Sequence, residues 1–285
     1  MSSVALVAGS LLVLLAVFAG LVWFFQERVA FQPPHGPWPS DAGISRVDYE
    51  ASDRQHLFAY LVGNPAFSRG LLITFHGNAD LAVRQVEWAQ EVARRTGMAV
   101  MLTEYRGYMG LPGRPSYEGS QLDAEAAYHF AADSLGIPES RMAFFGHSLG
   151  SAIAAELAVK HRPAVLILES PFTSAQDMAR RIIGWRPSDV TWGLLSRLYF
   201  DTGAKVAHLD CPVSVSHGDR DRLIPLAMGR SVYQTAKVKG EWLEVRGASH
   251  SDVSATGREE YWTWISKALD PVDSTISTDE KRARR

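Results

Sequence analysis

Short continuous runs of apolar residues alternate along the chain with longer segments whose apolar residues recur every three or four positions. The short runs predict strands buried on both faces, and the longer periodic segments predict amphipathic helices. Eight strands are predicted, over Ile44–Glu50, His56–Val62, Leu71–Phe75, Val100–Glu104, Met142–Phe145, Val165–Glu169, Val213–Ser216 and Trp242–Val245. Five helices are predicted, over Leu81–Thr96, Tyr117–Leu135, Ser148–His161, Leu226–Ala236 and Ser254–Leu269. This alternation predicts an α/β fold with a mostly parallel eight-stranded sheet flanked by helices, and an antiparallel edge where the first two strands join directly.

One segment, residues 171–210, breaks the alternation. It lies between two predicted strands and is too long for a single crossover helix. It is also rich in large apolar side chains, among them Trp185, Trp192 and Phe200. We expect a small helical cap over the carboxyl edge of the sheet. The alternative is a plain crossover whose aromatic side chains belong to the core.

The N-terminal segment has a pattern of its own, with no charged side chain from Val4 to Phe25. A run of about 20 apolar residues is long enough to cross a bilayer as a helix. Trp23 and Arg28 near its end suit the membrane interface. Residues 1–28 are therefore predicted to be an uncleaved single-pass anchor, which places the protein at a membrane without indicating the side. A cleaved signal peptide is the alternative.

The remaining boundaries follow from composition along the chain. Residues 29–43 are rich in proline and predict a linker, and residues 44–270 predict the α/β domain, with the cap at about 171–210. Residues 271–285 are polar and predict a disordered tail.

Overall composition narrows the classes of function. A chain of 285 residues with 46% hydrophobic content can bury one large core. The net charge of −2 gives no reason to expect a nucleic-acid partner. The single cysteine, Cys211, excludes an internal disulfide and a cysteine-rich metal site.

The most informative motif is Gly146-His147-Ser148-Leu149-Gly150, which reads G-x-S-x-G. It follows a predicted strand and opens a predicted helix. A serine at such a tight turn has a strained backbone and an exposed hydroxyl, and the flanking glycines let the turn close. We therefore predict Ser148 as a catalytic nucleophile.

A serine hydroxyl needs a base to accept its proton, and the base needs a carboxylate to orient it. The G-x-S-x-G turn resembles the nucleophile turn of α/β-hydrolases, and this resemblance implies the order Ser, acid, His along the chain, with each group on a loop after a successive strand. His250 is the histidine that fits, because a strand, an acidic cluster and a further strand precede it. Asp219 and Asp221 are both candidates for the acid, and the later one is favoured because a turn must first leave the sheet.

Acyl transfer also needs backbone N–H groups that stabilise an oxyanion. One donor should be Leu149, the residue after the nucleophile, at a helix N-terminus. The other should follow the early strand Leu71–Phe75. We predict the N–H of Asn78, with Ala79 as the alternative.

Six short segments between Val47 and Leu269 match motifs of one known family. They are Phe75-His76-Gly77-Asn78-Ala79, Glu104-Tyr105-Arg106-Gly107-Tyr108, Gly113-Arg114-Pro115-Ser116, Gly146-His147-Ser148-Leu149-Gly150-Ser151, Glu169-Ser170-Pro171-Phe172-Thr173-Ser174 and His217-Gly218-Asp219-Arg220-Asp221. With these segments the chain resembles the α/β-hydrolase superfamily. Within it, the chain is similar to membrane-anchored abhydrolase-domain proteins, which include protein depalmitoylases and lysophospholipid lipases.

The resemblance implies further assignments. The family pattern H-G-x-x-D implies that Asp221 is the acid, and the Tyr-Arg-Gly-Tyr loop implies that Tyr105 and Tyr108 bind substrate. The chain departs from that loop pattern at Met109, where the family has glycine. Depalmitoylase members carry a cysteine-rich N-terminus, whereas this chain has an apolar run without cysteine, so the resemblance to those members does not cover the N-terminal segment.

Taken together, these features predict a membrane-anchored serine hydrolase. We expect it to cleave an ester or thioester of a lipid or an acylated protein, without a metal or an organic cofactor. Two alternatives remain, a serine peptidase on the same fold and a non-catalytic binding protein.

Overall fold

Eight strands form one sheet in the computed structural model of the protein, which describes residues 3–272 apart from 42, 183, 185 and 187. The strands are β1 (Ser45–Glu50), β2 (His56–Val62), β3 (Leu71–Phe75), β4 (Ala99–Thr103), β5 (Met142–His147), β6 (Val165–Glu169), β7 (Val213–Gly218) and β8 (Lys239–Val245). Their order across the sheet is β1-β2-β4-β3-β5-β6-β7-β8. The strands from β4 across to β8 are parallel, and β1 and β2 form an antiparallel edge. The predicted sheet is therefore confirmed.

Helices connect most of the strands. They are α1 (Ser3–Ala30), α2 (Val86–Thr96), α3 (Tyr117–His129), α4 (Leu149–Lys160), α5 (Ala175–Ile182), α6 (Asp189–Leu195), α7 (Thr202–Val206), α8 (Leu226–Thr235) and α9 (Val253–Ala268). The five helices predicted for the domain are present with small shifts at their ends. Three of them are less regular than predicted. A 3₁₀ turn precedes α2, a π turn, Phe130–Ser134, follows α3, and α9 is kinked at Arg258, where φ is 46°.

The sheet lies between two layers of helices. On one face α2 contacts α9, and on the other face α4 contacts α3 and α7. Every residue of β3, β4 and β6 is buried, because each of these strands is covered from both sides. This arrangement explains why these strands are continuous apolar runs rather than alternating ones.

Three short helices, α5, α6 and α7, occupy the segment between β6 and β7. The predicted cap is thus helical, and Trp185, one of the residues that suggested it, lies outside the described residues. Phe200 of this segment is buried and packs against Phe31, with the two ring centroids 6.3 Å apart.

Both ends of the domain extend further than predicted. The helix α1 continues two residues past the predicted anchor boundary at residue 28, and Phe31, in the predicted linker, is buried. At the other end Val272 is completely buried beside Gly70. Val272, which was predicted to belong to the tail, therefore packs against the domain, and the rest of the predicted tail, residues 273–285, lies outside the described residues.

Two glycines allow the turn between β5 and α4 to fit against β3. A Cβ atom on Gly150 would clash with the carbonyl oxygen of Phe75, and one on Gly146 would clash with the carbonyl oxygen of Gly150. The first turn of α4 can approach the sheet this closely only without these side chains.

Substitution of Gly150 by alanine should therefore destabilise the fold. Because the added methyl group meets backbone atoms that cannot turn away, we expect a loss of about 1–3 kcal/mol in the free energy of unfolding. Gly193→Ala in α6 is the matched control, since a Cβ there meets nothing within 4 Å, and it should be neutral or stabilising. Chemical denaturation of both variants measures the difference, and equal stabilities would contradict this account of the turn.

Candidate active site

Ser148 lies at the turn between β5 and α4. Its backbone has φ 53° and ψ −116°, a strained conformation for a residue with a side chain. The turn holds it there, since the Ser148 N–H donates to the carbonyl of Glu169 (2.9 Å) and the Ser151 N–H donates to the carbonyl of Ser148 (3.0 Å). The hydroxyl consequently stands at the N-terminus of α4, where the helix dipole favours negative charge.

His250 and Asp221 complete a hydrogen-bonded chain with this serine. His250 Nε2 lies 2.8 Å from Ser148 Oγ, and His250 Nδ1 lies 2.7 Å from Asp221 Oδ2. The three residues come from the loops after β5, β7 and β8, as their order along the chain requires. The structure thus brings together the three side chains that the sequence singled out.

Asp221 is held in place by the turn that it begins. Its Oδ1 accepts hydrogen bonds from the backbone N–H groups of Leu223 (2.9 Å) and Ile224 (2.8 Å). Burial alone would raise the pKa of Asp221, but hydrogen bonds from His217 and His250 lower it below the usual range of a carboxyl. The group is therefore a carboxylate at neutral pH.

The alternative acid, Asp219, has a different place. It is exposed, and its Oδ1 accepts the N–H of Gly247 at 2.6 Å, so it closes the loop rather than facing His250. The geometry of the two aspartates therefore favours Asp221 over Asp219 as the acid that orients His250.

Two other histidines support the site, and sequence reasoning missed both. His217 Nε2 lies 3.3 Å from Asp221 Oδ2 and 2.8 Å from the carbonyl of Ile224. His147 Nε2 donates to the backbone carbonyl of His250 at 3.0 Å. Burial lowers the pKa of His147 to about 4, and the nearby His250 contributes a smaller effect in the same direction. The His147 ring is therefore neutral, and its N–H group holds the loop that contains His250. Each histidine is close in sequence to a predicted catalytic residue: His147 precedes Ser148, and His217 lies four positions before Asp221. This proximity is the sequence signal that could have identified them.

The predicted oxyanion donors border the same cavity as Ser148. Leu149 and Asn78 both contribute to its wall. The alternative donor, the Ala79 N–H, lies 3.0 Å from Asn78 Oδ1, so it already has an acceptor. His76 holds the loop that contains Asn78 in place. Its Nε2 lies 2.7 Å from the fully buried Glu104 carboxylate. Burial would lower the pKa of His76, but the Glu104 carboxylate raises it.

Tyr105 and Tyr108 do not occupy the positions expected of substrate-binding residues. Both rings are buried, and neither is among the described residues that border the cavity. The Tyr105 hydroxyl donates to the carbonyl of His76 (2.9 Å), and the Tyr108 hydroxyl donates to Asn78 Oδ1 (3.0 Å). The prediction that these tyrosines contact substrate is therefore corrected: their hydroxyls support the loop that carries Asn78.

The cavity over Ser148 has a volume of about 1070 Å³ and mainly apolar walls. Phe172, Met178 and Phe200 of the cap border it, as do Ser148 and His250. A space of this size with few polar groups suits a ligand with a long apolar part. Residues of α1 also border the cavity, which the sequence did not predict.

Two acidic side chains, Asp80 and Glu169, border this mainly apolar space, and Glu169 is the more deeply buried of the two. Glu169 ends β6, is 9% exposed, and has one carboxyl oxygen, Oε2, without a hydrogen-bond partner. Burial raises its pKa to about 7, although Tyr261 and His250 act in the opposite direction. The carboxyl is therefore protonated in a large part of the molecules near neutral pH.

Among the described residues, one cluster has side chains of the kind that bind metal ions: Glu125, His129 and His161. The Glu125 carboxylate already pairs with Lys160 Nζ (2.7 Å) and His161 Nε2 (2.6 Å). These ion pairs account for the cluster, which is not part of the cavity wall.

The fold and the strained serine define the class of protein, a hydrolase-type α/β domain with a nucleophile turn. A family model described as "Serine aminopeptidase, S33" matches residues 67–199. The uncharacterized protein Rv2307c of Mycobacterium tuberculosis is 31% identical over 239 residues, which cover 81% of this chain and 82% of that protein. The α/β hydrolase domain-containing protein WAV2 of Arabidopsis thaliana is 28% identical, with 84% and 85% covered. The chain belongs to the α/β-hydrolase superfamily.

Solved structures agree on the fold. The esterase Pf2001 of Pyrococcus furiosus superposes with a TM-score of 0.64 and 17% identity, covering 84% of this chain and 97% of that one. A structure described as bacterial heroin esterase superposes with a TM-score of 0.60 and 23% identity, with 82% and 87% covered. At these identities the likeness concerns the fold alone.

The buried Glu169 should make stability depend on pH. Its pKa is raised in the folded protein, so its contribution is fully present below the ordinary pKa of 4.5 and is lost as the pH rises through about 7. Relative to Glu169→Gln, the wild type should lose up to about 3 kcal/mol of unfolding free energy between about pH 5 and pH 8. Denaturant titrations at the two pH values measure this. The exposed Glu87→Gln should leave the pH dependence of the wild type unchanged, and a parallel response of all three proteins would contradict the assignment.

Proposed function

We propose that the protein is a membrane-anchored serine hydrolase that cleaves ester or thioester bonds of acyl substrates. The observation that carries this proposal is the hydrogen-bonded chain from Ser148 through His250 to Asp221, at one side of a mainly apolar cavity. Membership of the α/β-hydrolase superfamily supports it, because this constellation serves acyl transfer on that fold.

The proposed reaction follows from the roles of the three groups. His250 Nε2 accepts the Ser148 proton as the serine oxygen attacks the carbonyl carbon, and the imidazolium then protonates the leaving group. Asp221 keeps the His250 ring oriented and stabilises its positive charge. The N–H groups of Leu149 and Asn78 stabilise the oxyanion, and water cleaves the acyl-enzyme with His250 as the base.

The nature of the walls supports an acyl substrate. Burial of each methylene group is worth about 0.8 kcal/mol, so a cavity bordered by Phe172, Met178 and Phe200 favours an aliphatic chain next to the serine. A lipid ester and an acylated protein both offer such a chain.

The N-terminal helix supports a location at a membrane. Residues Gly9–Ala30 form a helix that is long and apolar enough to span a bilayer, and the apolar side chains from Val7 to Phe25 are largely exposed. Exposed apolar surface on this scale requires a cover. We propose a single-pass anchor, with a cleaved signal sequence as the alternative that the same observation permits.

A second candidate is an aminopeptidase, favoured by the description of the matching family model. Such an enzyme needs a carboxylate for the free amino group of a peptide, and both Asp80 and Glu169 border the cavity. However, burial raises the pKa of Glu169 to about 7, which weakens it as an anion. Hydrolysis of fluorogenic amino-acid amides without any esterase activity would favour this candidate.

Replacement of the nucleophile tests the proposal. Ser148→Ala should abolish labelling by a fluorophosphonate probe and hydrolysis of short p-nitrophenyl esters, because no other group can form the acyl-enzyme. The matched control is Ser254→Ala, since Ser254 also borders the cavity and has no proposed part in the reaction. Esterase activity that survives Ser148→Ala would overturn the proposal, and an inert wild type would favour a binding protein.

The two aspartates offer a second test. Asp221→Asn should lower kcat by about 10³–10⁴-fold, because the amide cannot stabilise the charged imidazole or hold its tautomer. Asp219→Asn keeps an oxygen that can accept the Gly247 N–H and should keep activity within about tenfold. Rates of p-nitrophenyl acetate hydrolysis distinguish them, and a reversed order of the two effects would assign the acid to Asp219.

A further inference from the structure

The helix α1 forms a wall of the cavity that contains Ser148. Val22, Phe25, Gln26 and Val29 all border this cavity. Their spacing of three and four positions puts them on one face of the helix. A helix that only attached the domain to a membrane would not need a continuous face along the cavity that contains Ser148.

The C-terminal end of α1 is attached to the cap. Gln26 Nε2 donates to the carbonyl of Leu195 (3.0 Å), and Gln26 Oε1 accepts the Arg197 N–H (2.6 Å). Arg197 also pairs with Glu27, with 3.2 Å between Nη1 and Oε2. Polar contacts of this kind fix the rotation of α1 and keep the same face toward the cavity.

A second attachment joins α1 to the predicted oxyanion loop. Asn78 Nδ2 donates to the carbonyl of Ala30 (2.7 Å), and Asn78 Oδ1 accepts the Gln32 N–H (2.7 Å). One residue, Asn78, thus joins the end of the anchor to the loop that faces Ser148. The helix and the site therefore form one unit rather than two domains on a flexible linker.

The outer surface near this wall is apolar on both sides. The cap exposes Ile182, Val190 and Leu194, with exposed fractions of 59%, 73% and 72%, and the end of α1 exposes Leu21 and Phe25. Ile182, Leu21 and Phe25 also border the cavity, so the apolar surface continues from the outside to the inside.

Arginines adjoin this apolar surface. Arg28 follows the exposed turn of α1, and Arg180 and Arg181 precede Ile182 in α5. All three are exposed. Apolar side chains next to arginines are the combination that inserts at a bilayer surface beneath phosphate groups.

We propose that α1 is part of the acyl-binding site, and that a single-chain lipid ester enters from the bilayer between α1 and the cap. This inference rests on the proposed function. The acyl chain passes from the hydrocarbon region along Val22 and Phe25 to Ser148, while the polar headgroup stays near the arginines. A lipid is favoured over an acylated protein, because the apolar entrance would leave the polar backbone of a protein substrate without hydrogen bonds.

A bulky residue on the inner face of α1 tests this arrangement in the full chain, reconstituted in phosphatidylcholine nanodiscs. Val22→Trp should lower kcat/KM for p-nitrophenyl palmitate by about tenfold, as expected when roughly two methylene groups lose their place. The kcat/KM for p-nitrophenyl acetate should fall by a smaller factor than that for the palmitate ester, because a two-carbon acyl group buries far fewer methylene groups. Val17→Trp is the matched control, since Val17 is exposed on α1 and does not border the cavity. Unchanged palmitate hydrolysis by Val22→Trp, or an equal loss in Val17→Trp, would overturn the inference.

A cross-linking measurement on the wild type keeps the test independent of folding effects. A long-chain alkyl fluorophosphonate with a diazirine in its chain should label Ser148 and, after illumination, attach to the peptide that contains residues 21–30. Labelling of Ser148 with cross-links only to the cap would overturn the inference and leave the proposed function intact. Absence of labelling at Ser148 would overturn the proposed function itself.

The source of the acyl chain is tested in the same nanodiscs. A monoacylglycerol dissolved in the bilayer should be hydrolysed with a kcat/KM at least about tenfold above that of a soluble S-palmitoyl peptide. The opposite order would overturn the lipid assignment in favour of an acylated protein.

Discussion

The backbone of Ser148 is the constraint on which the site depends. A positive φ at a residue with a side chain is unfavourable, and the surrounding structure must maintain it. It is maintained by β6, which accepts the Ser148 N–H, and by the approach of α4 to β3, which only glycine at positions 146 and 150 permits. The same conformation brings Ser148 to the cavity wall and sets it at the positive end of a helix, so the strain and the proposed reactivity have one origin.

The other members of the site are arranged around that fixed point. His250 is held from two directions, by Asp221 through its ring and by His147 through its backbone carbonyl. The oxyanion loop is held by the buried pair of His76 and Glu104. In both places hydrogen bonds compensate the buried charge, as the cost of burying an isolated charge requires. The carboxyl of Glu169 reduces the same cost by holding a proton, because burial raises its pKa to about 7.

Sequence patterns predicted those features that depend on neighbours along the chain or on the order of strands. The strands were recognisable because full burial makes them continuously apolar. Ser148, Asp221 and His250 were recognisable because a parallel sheet places successive loops at one edge. The contacts of α1 with the cap were not recognisable, because they join residues far apart along the chain, such as Gln26 and Arg197, which are 171 positions apart. Tyr105 and Tyr108 were predicted to contact substrate for a related reason. A motif indicates that a side chain is important, but it does not indicate whether that side chain faces the cavity or supports the loop behind it.

The central claim is that Ser148 forms a covalent acyl-enzyme, and pre-steady-state kinetics test it most directly. Mixing the protein with an excess of p-nitrophenyl ester should release a burst of p-nitrophenol equal to the enzyme concentration. Mass spectrometry of the quenched protein should then find the acyl group on the peptide that contains Ser148. An acyl group on another residue, with none on Ser148, would contradict the account.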